Sequence, residues 1–112
     1  MNYTKYIKDG KVAVLYSPGY GAGWSTWMPT CDLLNAALFD SRIVERVLVG
    51  APVTEDFLKS IWGDDKHFED AYLGGADNLA VTWLPVGTQF LVTEYDGSES
   101  IEINTEINWS IA

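Results

Sequence analysis

Residues 79–103 read LAVTWLPVGTQFLVTEYDGSESIEI, and their periodicity decides the fold class. Leu79, Val81 and Trp83 alternate with Ala80 and Thr82, Pro85-Val86-Gly87 turns the chain, and Gln89 to Tyr95 resumes an extended, β-prone run. Asp96-Gly97 is a favoured two-residue hairpin turn, after which Ile101 and Ile103 alternate with Glu102. A period of two sends successive side chains to opposite faces of a strand. The stretch predicts an antiparallel meander, continued by Ile107, Trp109 and Ile111 as one bent strand or two short ones.

Upstream the period is helical. Thr30 can cap a helix whose apolar residues are Cys31, Leu34, Ala37 and Leu38. Asp40 or Ser41 can cap a second, with Ile43, Val44, Val47 and Leu48 as its stripe and Gly50-Ala51-Pro52 as its stop. A third begins at Thr54, carries Glu55 and Asp56 at its positive end, buries Phe57, Leu58, Ile61 and Trp62, and ends at Gly63. Phe68, Tyr72 and Leu73 could anchor a further turn before Gly74-Gly75. At the N-terminus, Tyr3 to Ile7, the turn Asp9-Gly10 and the apolar run Val12 to Tyr16 predict a β-hairpin. Hairpin, two to three short helices and meander together predict a single α+β domain over residues 1–112, with the helices packed on one face of a mostly antiparallel sheet.

A chain of 112 residues, 47% of them hydrophobic, can bury a small core. No run approaches the roughly 18 apolar residues of a membrane-spanning helix, and the N-terminus lacks the apolar centre of a secretory signal, so a cytoplasmic, membrane-free protein is expected. The lone Cys31 excludes an internal disulfide and a thiolate zinc site, and is expected to be a small buried residue.

The net charge of −9 is unevenly placed. Seven basic residues nearly balance eight acidic ones up to Lys66, whereas His67 to Ala112 holds eight acidic residues and no lysine or arginine. Such a field repels nucleic acid and favours a basic partner, and salt would weaken its steering. Acidity of this kind also keeps a small domain soluble and, at Glu102 and Glu106, deters edge pairing.

Between the hairpin and the first helix lies SPGYGAGWSTW, residues 17–27, with glycines at 19, 21 and 23, tryptophans at 24 and 27, and no charge. A phosphate reading fails on spacing: Gly23 is followed by Trp24, not by Lys-Ser/Thr, and the sixth residue from Gly19 is again Trp24. No lysine or arginine lies between Lys11 and Arg42 to assist an anion. Tyr20, Gly21, Gly23, Trp24, Ser25 and Trp27 instead suit a loop that stacks on a ring or anchors a protein contact, although at least one of the tryptophans is expected to pack structurally, locking the loop onto the helices or filling an interface.

Catalysis has little support. His67 sits in DDKHFED, which matches neither an HExxH helix nor a calcium loop, and no GxSxG elbow is present. No catalytic residue, metal or cofactor is expected.

Two stretches, KYIKDGKVAVLYSPGYGAGWSTW at 5–27 and DAYLGGADNLAVTWLPVGTQFLVTEYDGSESIE at 70–102, resemble a group of small uncharacterised proteins encoded by bacteriophages and prophages. The resemblance covers half the chain and carries over no catalytic residues. It implies a phage setting, hence the bacterial host cytoplasm, where small acidic proteins often occupy a host defence protein, as anti-CRISPR inhibitors do. The expectation is therefore a non-enzymatic inhibitor of a host defence or nucleic-acid-handling protein. Glu94, Asp96, Glu99, Glu102 and Glu106 would supply the potential that meets a basic host surface, with no direct nucleic-acid contact. The alternative is a binder or sponge for a nucleotide or sugar at residues 17–27, and a homodimer is compatible with the edge strands and aromatics.

Overall fold

The computed structural model describes residues 2–104; Glu106 and the strand expected at 107–111 lie outside the described residues. Strands β1 (Ile7–Lys8) and β2 (Lys11–Tyr16) form the N-terminal hairpin. Its turn residues Asp9 and Gly10 both have positive φ, 53° and 75°, which matches the twist of the flanking strands. Strand β1 is shorter than the sequence predicts because, beyond the bond of the Ala13 amide to the Tyr6 carbonyl at 2.9 Å, the chain before it leaves β2. Lys5 bridges to Asp40, and the Thr4 carbonyl accepts from the Ser41 amide at 2.9 Å.

Three helices follow: α1 (Cys31–Phe39), α2 (Ser41–Val49) and α3 (Glu55–Trp62). Side chains of Thr30, Asp40 and Thr54 cap them, accepting from the amides of Leu33, Arg42 and Phe57 at 3.2, 3.0 and 3.1 Å. Each bond satisfies a donor that the helix itself leaves unpaired. Gly50, at φ 74°, ends α2 in the left-handed conformation that suits glycine. The apolar stripe of α2 stops early: Ile43 and Val44 are buried, while Leu48 and Val49 are exposed. Cys31 is exposed rather than buried, since α1 turns Leu33, Ala36 and Ala37 inward.

Strand β3 (Ala80–Pro85) pairs antiparallel with β2, in the register Val12↔Leu84 and Val14↔Thr82, completing a sheet of order β1-β2-β3. Strands β4 (Phe90–Tyr95) and β5 (Ser98–Ile103) form a separate antiparallel ribbon. The first strand of the expected meander is thus drawn away from its sequence neighbour. The physical reason is β2, whose Val12 to Leu15 are buried on both faces, the mark of a strand that needs partners along both edges.

Side chains divide accordingly. Ala13 and Leu15 join Leu33, Ile43, Leu58 and Trp62 in the main core against the helices. On the other face Val14 and Leu84 meet Leu38, with Phe90, Val92 and Ile101 of the ribbon packed over them. The helices cover one face of the sheet and the ribbon shares the other with the flank of α1. No described helix is long and apolar enough to cross a membrane.

Candidate functional site

The loop of residues 17–27 closes on a carboxylate from its own chain. Glu99 is only 1% exposed, although it lies in the acidic half and in a Ser-Glu-Ser context. Its Oε1 accepts from the Ser17 amide at 3.0 Å. Its Oε2 accepts from the amides of Trp24 (2.8 Å) and Thr26 (3.0 Å) and from the Thr26 hydroxyl at 2.6 Å. Bonds to an ionised acceptor are the strong kind, and these four neutral donors let the loop hold an anion without a lysine or arginine. The backbone adds a return bond, the Glu99 amide donating to the Ser17 carbonyl at 2.7 Å.

Glycines let the loop come this close. A Cβ at Gly97 would run into the Ala22 amide nitrogen, and one at Gly75 would run into the Gly23 carbonyl oxygen. The ribbon turn and the 74–78 segment therefore clasp residues 21–23 from two sides, with the Gly21 amide donating to the Asp96 carbonyl at 2.8 Å. Gly75→Ala is expected to cost about 1–3 kcal/mol by overpacking against backbone that cannot retreat. Urea denaturation measures it, and an unchanged midpoint would contradict this account of the clasp.

Trp24 faces the core. It stacks on Trp62 with ring centroids 5.7 Å apart, and its Nε1 donates to the Ala37 carbonyl at 2.7 Å. Trp62 Nε1 in turn donates to Asp40 Oδ2 at 3.0 Å. Asp40, wholly buried, also takes the Arg42 guanidinium through Nε at 2.9 Å and Nη2 at 2.7 Å. That hydrogen bond raises the Arg42 pKa above its ordinary value, against the lowering effect of burial. Burial, then the nearby charges of Asp32 and Asp40, push the Tyr3 phenol up. Two buried acids and two stacked indoles so tie the loop, the ribbon and all three helices into one unit.

Several expected site residues change role as a result. Gly23, Trp24 and Ser25 are buried: the loop amides converge on Glu99 and the Trp24 indole fills the core. Glu99 is no part of an acidic surface, being the anion that the loop holds. Sequence reasoning missed it, and the signal was present: Glu99 shares the two-residue period of Ile101, which packs inward from β5.

What remains outward is aromatic. Tyr20 and Tyr95 are 77% and 74% exposed, Tyr72 is 51% and Trp27 is 36%. Trp27 and Tyr72 pair with centroids 5.1 Å apart, and the Gly21–Asp96 bond brings the residue after Tyr20 to the one after Tyr95. Glu94 and Asp96 are exposed at the same tip; Glu94 stands opposite Glu99 in the ladder, and its carboxylate accepts from the Gly97 amide at 2.8 Å. Glu102 is exposed too, but it pairs opposite Leu91 toward the far end of the ribbon. The aromatic end is built from residues 17–28, 70–79 and 94–98, none of which is lysine or arginine.

Among the described residues no group of three histidine, cysteine or acidic side chains is placed to hold a metal ion. Every buried side-chain nitrogen and oxygen among them has a hydrogen-bond partner. No family model, curated protein or solved structure matches the chain.

Proposed function

We propose that the protein is a non-enzymatic, phage-derived binding protein that occupies a basic surface of a host defence or nucleic-acid-handling protein in the bacterial cytoplasm, and that it does so with this aromatic, acidic end. The phage setting is carried by the sequence resemblance alone. The binding reading is carried by one observation: four exposed aromatic side chains, Trp27 packed on Tyr72 and Tyr20 and Tyr95 each one residue before the Gly21–Asp96 bond, flank the closed loop with Glu94 and Asp96 on segments that lack any cation. Tyrosine and tryptophan are favoured interface anchors, and their faces attract guanidinium and ammonium groups. Neighbouring carboxylates add attraction and orientation, and nucleic acid would be repelled. The nucleotide or sugar alternative loses its strongest residues, since Trp24 and Ser25 are in the core.

An oligo-arginine peptide, followed by fluorescence anisotropy, is a suitable probe of such a face. Reversing Glu94 and Asp96 together to lysine is expected to weaken binding at least about tenfold at low salt. The same change of charge at the exposed Glu45 and Asp64 is expected to leave it within about twofold, the ordinary effect of a distant surface charge. Equal losses from the two double variants would reduce the interaction to net charge and remove the assigned face.

A further inference from the structure

We propose that Glu99 is the positioning residue of the aromatic face, its seated carboxylate fixing the loop so that the chain at Tyr20 is held to the turn that follows Tyr95 and Trp27 is held against Tyr72. The inference rests on the reading of that face as a partner surface. It goes beyond that reading in assigning the order of the face to a buried group that never touches the partner.

The geometry supports it link by link. Glu99 lies on β5, and three of its four donors lie on Trp24 and Thr26, immediately before Trp27; the fourth is Ser17, three residues before Tyr20. Ser98 Oγ donates to the Pro18 carbonyl at 2.7 Å, so both ends of the loop are fastened to adjacent residues of one strand. Trp24 is also held by the core, but Tyr20 and Trp27 project from the parts of the loop that the ribbon fastens. An ordered binding face loses less conformational entropy on association, so the seating acts on affinity without supplying a contact.

The carboxylate is specific to this task. In Glu99→Gln one of the two side-chain positions becomes an NH₂ group facing a backbone N–H, whichever way the amide is turned, and donor meets donor. In Glu99→Ala the atoms removed are those of acetate, and the vacated cradle would still present three amides and a hydroxyl.

Two readouts on the wild type, Glu99→Gln and Glu99→Ala test this together: amide hydrogen exchange at Ser17, Trp24 and Thr26, and anisotropy with the oligo-arginine peptide. Glu99→Gln is expected to keep its far-ultraviolet circular dichroism, to lose protection at the three amides at least about tenfold, and to bind the peptide at least about fivefold more weakly. Acetate, but not chloride at the same ionic strength, is expected to restore protection and binding in Glu99→Ala. If Glu99→Ala does not fold, Thr26→Val, which removes one donor and keeps the acid, should show the same losses at smaller size. Peptide binding that is unchanged in a Glu99→Gln variant whose loop amides exchange fast would overturn the positioning role. Wild type that fails to bind the peptide would instead overturn the reading of the face, and the exchange data would then report a latch with no partner surface to order.

Discussion

Glu99→Ala is expected to lower the stability of the fold by about 3–5 kcal/mol in urea denaturation, against the roughly 5–15 kcal/mol that a domain possesses. The substitution removes four bonds to a buried ionised acceptor and leaves the amides of Ser17, Trp24 and Thr26 pointing into a cavity. Unpaired buried donors each cost about 1–3 kcal/mol, offset in part by water that enters through the half-buried Thr26 side. Relief of the repulsion between Glu94 and Glu99, which the ladder sets directly opposite, works the other way but is small, because Glu94 is exposed. A loss below about 1 kcal/mol would mean that the cradle contributes little net stabilisation.

Asp40→Ala ranks second, at about 2–4 kcal/mol. One carboxylate there performs three tasks: it caps α2, it accepts both Arg42 guanidinium bonds, and it satisfies the indole N–H of Trp62 inside the core. Removing it strands the Trp62 donor, which is 1% exposed, and leaves the half-exposed Arg42 side chain to water. Asp40→Asn keeps an oxygen for the cap but turns its NH₂ toward the Trp62 indole N–H, and is expected to lose about 1–3 kcal/mol. Equal losses in the two variants, measured by thermal and urea unfolding, would show that the second carboxylate oxygen and its charge, rather than the cap and the shape, carry the effect.

Local features were legible in the sequence because their causes are local. The caps at Thr30, Asp40 and Thr54, the stop at Gly50 and the positive-φ turns at Asp9-Gly10 and Asp96-Gly97 are each decided by a few adjacent residues. The α+β class followed from the change of period between Trp62 and Leu79. Pairing of β3 with β2 was not legible, since two antiparallel partners, β2 and β4, were equally consistent with an alternating pattern and only the two-sided burial of β2 separates them. The loop was misread for a similar reason. Its glycines and uncharged donors did mark an anion site, but the anion is Glu99, more than seventy positions on in the chain, and a search for lysine and phosphate spacing does not find it. Periodicity alone would have placed Glu99 inward, beside Ile101, and an inward carboxylate must find donors.

The central claim is that the protein meets a basic partner with the end where Tyr20, Tyr95, Trp27 and Tyr72 emerge around the closed loop. Titrating the ¹⁵N-labelled protein with the oligo-arginine peptide and following backbone amide shifts tests it most directly. Shifts concentrated at Tyr20, Trp27, Tyr72 and Tyr95 to Gly97, with the Lys8 to Lys11 hairpin at the far end of β2 unmoved, are the predicted result. Shifts spread evenly over every exposed acid, or centred on α2 and α3, would contradict it.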